Sequence, residues 1–158
     1  MSKSFDDLIS KVSECSVKKV AVAVAQDSAV LEAVQAAKER NIAEAILVGD
    51  ADKIKEVAAS INMSLDGFEI IDEKEDYTAA LKAVELVHTG KADMYMKGLI
   101  DTKSFLKSVL DKEVGLRTGK TLSHVCVFEI EGIDHLLFLS DVAFLTYPSL
   151  EEKVHIVE

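Results

Sequence analysis

Arginine and cysteine are scarce in this sequence, and long apolar runs are missing from it. No apolar run approaches the length of a bilayer-spanning helix, which excludes a membrane helix. The opening MSKSFDDLIS carries two aspartates and no long apolar core, so we do not expect a secretory signal. Cys15 and Cys126 lie far apart in no metal-ligand spacing. We therefore interpret both as reduced core thiols of a cytoplasmic protein and expect no metal site.

The charge balance limits the ligands that the protein can bind. A formal net charge of −10 at pH 7 disfavours unspecific binding to nucleic acid, which depends on basic patches. It does not exclude a small anionic ligand, because the local field matters more there than the net charge. Arg40 and Arg117 are the only arginines. An anion site must therefore use lysines, helix N-termini or one of these two residues.

The chain has enough length and apolar content for one well-filled domain. It has 158 residues, of which 49% are hydrophobic and 29% charged, a composition typical of globular proteins. A strand followed by a helix is the pattern that repeats along it. Strands are predicted at 17–25, 43–50, 68–72, 92–99, 123–130 and 135–144, and helices at 4–14, 26–41, 51–61, 77–90, 101–113 and 148–158. Near-continuous apolar strands that alternate with helices predict a three-layer α/β/α fold around a mostly parallel sheet.

Residues at the ends of these elements predict where several helices begin and end. Asp50 and Asp76 are predicted N-caps, and Gly90 is a predicted helix end. Thr102 or Asp101 is expected to cap the helix at 101–113. The segment EGID joins the last two strands as a short hairpin connection.

The loop at 114–122 decides the direction of the fifth strand. Its nine residues, at roughly 3.3 Å each, reach about 30 Å, enough to return to the carboxyl edge of the sheet. We therefore expect the fifth strand to run antiparallel to the rest and the sixth to run parallel. This layout brings three pairs of residues to one edge, namely Lys97 with Gly98, Ser123 with His124, and Ser140 with Asp141. A parallel fifth strand would instead place Asp141 on the opposite edge.

The stretch YMKGLIDTKSFLKSVL places Gly98 between a strand and a helix. In open α/β sheets ligands bind beyond the carboxyl ends of strands, where helix N-termini offer N–H groups to anions. Gly98 would let the backbone approach a ligand closely, and Lys97 would add a positive charge. Neither nucleotide-binding glycine motif is present, and a tight turn alone would also explain the glycine.

The other candidate residues also have structural explanations. His124 fits a hydrogen-bonded core or surface histidine, and Arg117 and Lys120 fit solvated loop charges. Asp141 ends an apolar strand and needs a partner, which a backbone turn supplies as readily as a ligand does. The residues alone therefore predict an anion-binding α/β domain and no more specific chemistry.

Three segments resemble the phosphate acetyl/butyryl transferase family: MKGLIDT, SVLDKEVGLRTGKTLSHVCVFEI and LLFLSDVAFLTYPSLEEKVHIVE. The opening KKVAVAVAQDSAVLEAVQAAKERNIAEAILVGD fits the first strand–helix–strand unit of the same family, so the resemblance covers essentially the whole chain. It implies a fold similar to that of the isocitrate and isopropylmalate dehydrogenases, with an active site between two α/β lobes. Family chains run to nearly twice this length. We therefore expect 1–147 to form an N-terminal lobe and 148–158 to start a helix towards a second lobe absent from this chain.

The activity that the resemblance implies is a reversible acyl transfer. Butanoyl-CoA and phosphate would give butanoyl phosphate and CoA, with this chain as the N-terminal half of the enzyme and inactive by itself. CoA and phosphate would be substrates, with no further cofactor, no nucleic-acid or membrane partner, and a homo-oligomeric assembly. The alternative is a non-catalytic acyl-CoA or anion-binding α/β module. A dehydrogenase of the same fold is disfavoured because no dinucleotide fingerprint is present.

The resemblance also implies roles for particular residues. Ser123 and His124 would be catalytic, as donors to the carbonyl oxygen. The residues expected to bind substrate are Arg117 and Lys120, as the phosphate cations, together with Lys97, Gly98, Thr102 and Asp141. Family members often carry histidine before the threonine of the glycine-bearing turn, where this chain has Asp101. An acidic group there would repel phosphate.

Overall fold

The computed structural model describes residues 3–158, which divide into two units. The larger unit is Cys15–Arg117, and the smaller one combines residues 3–14 with Thr118–Glu158. In chain order the elements are α1 (Phe5–Val12), β1 (Lys18–Ala23), α2 (Ser28–Glu39), β2 (Ala43–Gly49), α3 (Ala51–Ser60), β3 (Glu69–Asp72), α4 (Asp76–His88), β4 (Met94–Lys97), α5 (Thr102–Val109), β5 (Cys126–Phe128), β6 (Leu137–Leu139) and α6 (Leu150–Val157).

A four-stranded parallel sheet in the order β3-β2-β1-β4 forms the centre of the larger unit. Val22 of β1 pairs with Leu47 of β2 on one side and with Met96 of β4 on the other. Residues 21–25 are almost completely buried, because a central strand of a parallel sheet is covered on both faces. The prediction of a mostly parallel sheet from near-continuous apolar runs is confirmed.

Helices cover both faces of this sheet, so the larger unit has the predicted three layers. On one face, α4 contributes Ala79, Ala80 and Ala83 to a core cluster that Phe105 of α5 also joins. On the opposite face, α2 and α3 supply a second cluster, with Leu31, Val34, Ile54 and Ala58. Small alanines on α4 let this helix lie close to the sheet.

The smaller unit contains α1, α6 and the antiparallel pair of β5 and β6. Cys126 lies opposite Leu139 in this pair, and residues 131–134 make the predicted hairpin connection. The antiparallel strand expected from the sequence is present, but within residues 3–158 it pairs with β6 and not with the four parallel strands. The expected parallel pairing of the sixth strand is therefore wrong.

The loop at 114–122 explains part of this difference. Its first residues fold back onto α5, since the N–H of Leu116 donates to the carbonyl of Val109 at 2.8 Å. The Asp111 carboxylate also accepts the N–H groups of Glu113 (2.8 Å) and Val114 (3.1 Å). The estimate of an extended loop therefore overstated its reach, because several of its residues are used in turns.

The predicted caps are correct at α3 and α5 but not at α4. Several elements are shorter than predicted, since α5 ends at Val109 rather than at 113 and β6 ends at Leu139 rather than at 144. Asp50 caps α3 and Asp101 caps α5, while Gly90 follows α4 with a φ of 73°. Glu75 caps α4 and Asp76 is its first residue, so the prediction of Asp76 as the cap was wrong by one position. Across residues 3–158 no helix is long and apolar enough to cross a membrane. Cys15 is exposed, so the expectation that both cysteines are core thiols is wrong.

Candidate functional site

Four helices begin at the carboxyl edge of the parallel sheet, and each is capped by an acidic side chain of the chain itself. A carboxylate at an N-cap accepts the backbone N–H groups that the first helical turn leaves unpaired. The caps accept as follows: Asp27 from Val30 (3.1 Å), Asp50 from Asp52 (3.1 Å) and Lys53 (3.2 Å), Glu75 from Tyr77 (3.2 Å) and Thr78 (2.6 Å), and Asp101 from Ser104 (3.0 Å).

These contacts lower the pKa values of three of the capping carboxylates. The N–H of Lys53 holds the pKa of Asp50 below its usual value, and a hydrogen bond from the Thr78 side chain does the same for Glu75. Hydrogen bonds from Ser104 lower the pKa of Asp101. A phosphate at this edge would meet negative charge and N–H groups that already have acceptors. Helix N-termini in the larger unit are thus poor sites for the anion that the sequence predicts.

Two lysines near this edge are paired with the chain's own acids. Lys82 lies 2.6 Å from Glu73, and this hydrogen bond is the largest cause of the lowered pKa of the Glu73 carboxyl. Lys53 lies 3.6 Å from Asp50. These positive charges are therefore partly neutralised within the larger unit.

Gly98 is explained by its contact with the neighbouring strand. Its N–H donates to the carbonyl of Ala23 at 2.9 Å, and the N–H of Leu99 donates to that of Val24 at 2.8 Å. A Cβ at Gly98 would overlap the carbonyl oxygens of both Ala23 and Val24. The close approach that requires glycine is thus made by the backbone at the end of β1.

The two other candidates in this turn are exposed. Lys97 places its Nζ 3.3 Å from the Gly98 carbonyl oxygen, which folds the side chain onto its own turn. Thr102 is the first residue of α5 and follows its Asp101 cap.

Val24 and Gln26, which follow β1, have features that the sequence did not indicate. Val24 is buried and has a φ of 57°, an unusual conformation for a β-branched residue. The side-chain oxygen of Gln26 is buried and has no hydrogen-bond partner among residues 3–158. Nothing in an apolar run such as VAVAQD signals either feature, because both arise from packing at the edge of the sheet.

His124 and Asp141 meet in the smaller unit. The backbone N–H of His124 donates to Oδ2 of Asp141 at 3.1 Å, and Oδ1 accepts from Ala143 (2.7 Å) and Phe144 (3.0 Å). These bonds, with that from Ala143 the largest, lower the pKa of Asp141. The partner that this aspartate needs is thus supplied by backbone.

The His124 imidazole lies between a thiol and an aromatic ring. Its Nδ1 is 3.6 Å from Sγ of Cys126, and the Phe144 ring lies edge-on with the centroids 6.0 Å apart. His124 lies two positions before Cys126, the first residue of β5, a spacing that places both side chains on one face of an extended segment. Neighbouring Ser123 is half-buried, and its hydroxyl forms no hydrogen bond within the described part of the chain.

Arg117 and Lys120 are exposed, and neither pairs with an acid among residues 3–158. Arg117 belongs to the larger unit, as do Lys97, Gly98 and Thr102. Lys120 belongs to the smaller unit, as do Ser123, His124 and Asp141. The described residues contain no cluster of three histidine, cysteine or acidic side chains suited to a metal ion.

Comparison with known proteins gives a consistent result over the whole chain. A family model described as phosphate acetyl/butaryl transferase matches residues 4–80 and 75–158. The phosphate butyryltransferase of Clostridium acetobutylicum is 64% identical over 99% of this chain and 52% of its own length. That of Clostridium beijerinckii is 59% identical, with the same coverage of 99% and 52%. A crystal structure of a branched-chain phosphotransacylase from Enterococcus faecalis superposes with a TM-score of 0.70 at 26% identity, covering 89% of this chain and 49% of that one. The chain thus spans about half the length of the proteins that it matches.

Proposed function

This chain belongs to the phosphate acetyl/butyryl transferase family, and we propose that it is the N-terminal half of an acyltransferase that interconverts butanoyl-CoA plus phosphate and butanoyl phosphate plus CoA. The observation that carries this proposal is the 64% identity to a phosphate butyryltransferase over 99% of the chain.

The reaction needs positioned donors and cations more than it needs covalent catalysis. The CoA thiolate attacks the carbonyl carbon of the acyl phosphate, a C–S bond forms, and the C–O bond to phosphate breaks. A donor must stabilise the carbonyl oxygen as it becomes negative, and cations must hold the phosphate that leaves. In the reverse direction phosphate attacks the thioester and CoA leaves. The thiol proton passes to a base.

We assign the phosphate cations to Arg117 and Lys120. Their side chains are exposed and have no acidic partner among residues 3–158, whereas the helix starts of the larger unit are capped by ionised carboxylates. Arginine suits phosphate because its planar guanidinium donates two parallel hydrogen bonds. Lys97, Gly98 and Thr102 would form part of the cleft wall without binding phosphate directly, since Asp101 precedes this helix.

We assign the donor to the carbonyl oxygen to Ser123 or His124. The Ser123 hydroxyl has no partner within the described residues, so it is available to a ligand. The His124 Nδ1 lies 3.6 Å from the Cys126 thiol and its ring lies edge-on to Phe144, and neither contact satisfies both ring nitrogens.

A charge-removing double variant tests the phosphate assignment. In a full-length enzyme that contains this sequence, Arg117→Ala with Lys120→Ala should raise the KM for phosphate about tenfold or more and leave the melting temperature nearly unchanged. The matched control is Lys91→Ala with Lys112→Ala, which removes the same charge from other exposed positions. An unchanged KM for phosphate, or an equal rise in the control, would reject these two cations.

The proposal includes a second lobe. We propose that 1–147 forms one wall of the cleft and that 148–158 leads towards the other, so the 158-residue chain alone should not turn over. Positioning of two substrates accounts for roughly 7–11 kcal/mol of a barrier, and one wall cannot supply it. Release of free thiol from butanoyl-CoA and phosphate measures this. Turnover within tenfold of a full-length relative would show that the catalytic groups lie within these residues.

The non-catalytic alternative, an acyl-CoA or anion-binding module, predicts a different outcome. A full-length protein containing this sequence would then bind butanoyl-CoA in calorimetry and release no thiol when phosphate is added. A cytoplasmic location and a homo-oligomeric assembly complete the proposal. Fractionation of the source cells and sedimentation of the full-length protein would test them.

A further inference from the structure

Asp141 joins two segments of the smaller unit that are distant in sequence. One oxygen of its carboxylate accepts the His124 N–H at 3.1 Å, and the other accepts from Ala143 at 2.7 Å and Phe144 at 3.0 Å. The side chain therefore ties the start of β5 to the turn that follows β6. Each oxygen has a backbone donor, and a hydrogen-bond donor of a ligand would have to compete with these bonds.

The turn that Asp141 organises also carries the aromatic neighbour of His124. The Phe144 ring lies edge-on to the imidazole, with 6.0 Å between centroids and 73° between planes. Cys126 lies against the imidazole, with Sγ 3.6 Å from Nδ1. Loss of the Asp141 carboxylate would release both the His124 backbone and the turn that positions Phe144.

We propose that Asp141 is a positioning residue that sets the place of the His124 imidazole, and that it does not bind substrate. This replaces the substrate-binding role that the family resemblance implies for Asp141. The inference rests on the proposed function only for the claim that His124 acts in acyl transfer. The geometry around His124 can be measured without turnover.

Replacing Asp141 by asparagine distinguishes the hydrogen bond to His124 from those to Ala143 and Phe144. In Asp141→Asn the amide oxygen can still accept from Ala143 and Phe144, but the NH2 group that replaces the other oxygen cannot accept the His124 N–H. NMR of the isotope-labelled 158-residue chain should then show the His124 amide exchanging about tenfold faster, while the Ala143 and Phe144 amides stay protected. In Asp141→Ala all of these amides should exchange faster, and the nuclear Overhauser contacts between the His124 and Phe144 rings should be lost. Asp134→Asn, which alters an exposed acid of the same unit, should change none of these signals.

The same spectra can contradict the proposal. Unchanged His124 exchange and ring contacts in Asp141→Asn would overturn it. A second result would also overturn it: phosphate or CoA shifts the 141–144 amide signals of the wild type but not those of Asp141→Asn, while the His124 signals stay where they are. If Asp141→Ala is unfolded by circular dichroism, Phe144→Leu replaces it. We expect Phe144→Leu to shift the imidazole signals and keep the His124 amide protected, and unshifted signals would count against the proposal.

Turnover gives an independent readout in a full-length enzyme that contains this sequence. A positioning role predicts that Asp141→Asn lowers kcat about tenfold and leaves the KM values for phosphate and CoA within about twofold. A raised KM with unchanged kcat would indicate substrate contact and overturn the proposal. Absence of transferase activity in the wild type would contradict the proposed function, and the NMR result for Asp141 would still stand.

Discussion

Replacement of Gly98 by alanine should strongly destabilise the larger unit, whether or not a ligand binds there. The new Cβ would overlap the carbonyl oxygens of Ala23, the last residue of the central strand β1, and of Val24, which follows it. These atoms cannot rotate away as a side chain would. The strand end must therefore separate from the turn, and the hydrogen bonds from Gly98 to Ala23 and from Leu99 to Val24 must lengthen.

The expected cost follows from these two effects. Overpacking in a well-filled interior costs about 1–3 kcal/mol, and each weakened backbone hydrogen bond adds about 1 kcal/mol. We therefore expect a loss of about 3 kcal/mol or more. With a urea slope of about 2 kcal/mol per molar, the unfolding midpoint should fall by about 1.5 M.

Urea unfolding followed by far-UV circular dichroism measures this shift. The control is Gly90→Ala, because Gly90 has a positive φ of 73° but no atom within 4 Å of its would-be Cβ. Gly90→Ala should lower the free energy of unfolding only by the cost of backbone strain, about 1–2 kcal/mol. A Gly98→Ala midpoint within 0.3 M (about 0.6 kcal/mol at the same slope) of the wild type would refute the packing explanation and return Gly98 to a ligand-binding role.

Three further predictions concern the buried hydroxyls and the titratable groups. Ser108→Ala should lower the free energy of unfolding by about 1–2 kcal/mol, because its buried Oγ lies 2.8 Å from the Tyr95 hydroxyl and the two groups are coupled. If the effects of Ser108→Ala and Tyr95→Phe add to within about 0.3 kcal/mol in the double variant, the two hydroxyls are not coupled. Burial raises the pKa of Tyr95 to about 12 from 10.0, so its stabilising contribution is complete below pH 10.0 and is lost as the pH rises towards 12. The urea midpoint should therefore fall over that range, and less so in Tyr95→Phe. The lowered pKa values of Asp50, Glu75 and Asp101 act in the opposite direction, since their contributions are present above the usual carboxyl values and are lost as the pH falls through the lowered ones. Melting temperatures should drop on acidification. If the melting temperature of Asp50→Asn falls with pH as steeply as that of the wild type, the Asp50 cap contributes nothing to this dependence.

The carboxyl edge of the sheet combines features that the sequence predicts with one that it does not. The repeated strand–helix pattern predicted that several helices begin at this edge. The acids that cap those helices were visible in the sequence at Asp50 and Asp101. Their joint effect was not, because four caps come together only when the strands align in one sheet. That alignment supports the phosphate assignment to Arg117 and Lys120 that the family resemblance already implied.

The sequence by itself determined the elements of this protein, because each depends on neighbours along the chain. Apolar periodicity predicted each strand and helix, although several are shorter than predicted, and short acidic side chains predicted the caps of α3 and α5. The family was also readable from long local segments such as LRTGKTLSHV. Only the tertiary structure decided that β5 and β6 form a sheet of their own, that Gly98 lies against the end of β1, and that Asp141 accepts from His124. Each of these outcomes depends on which segments pack together, and local spacing along the chain allows several partners equally.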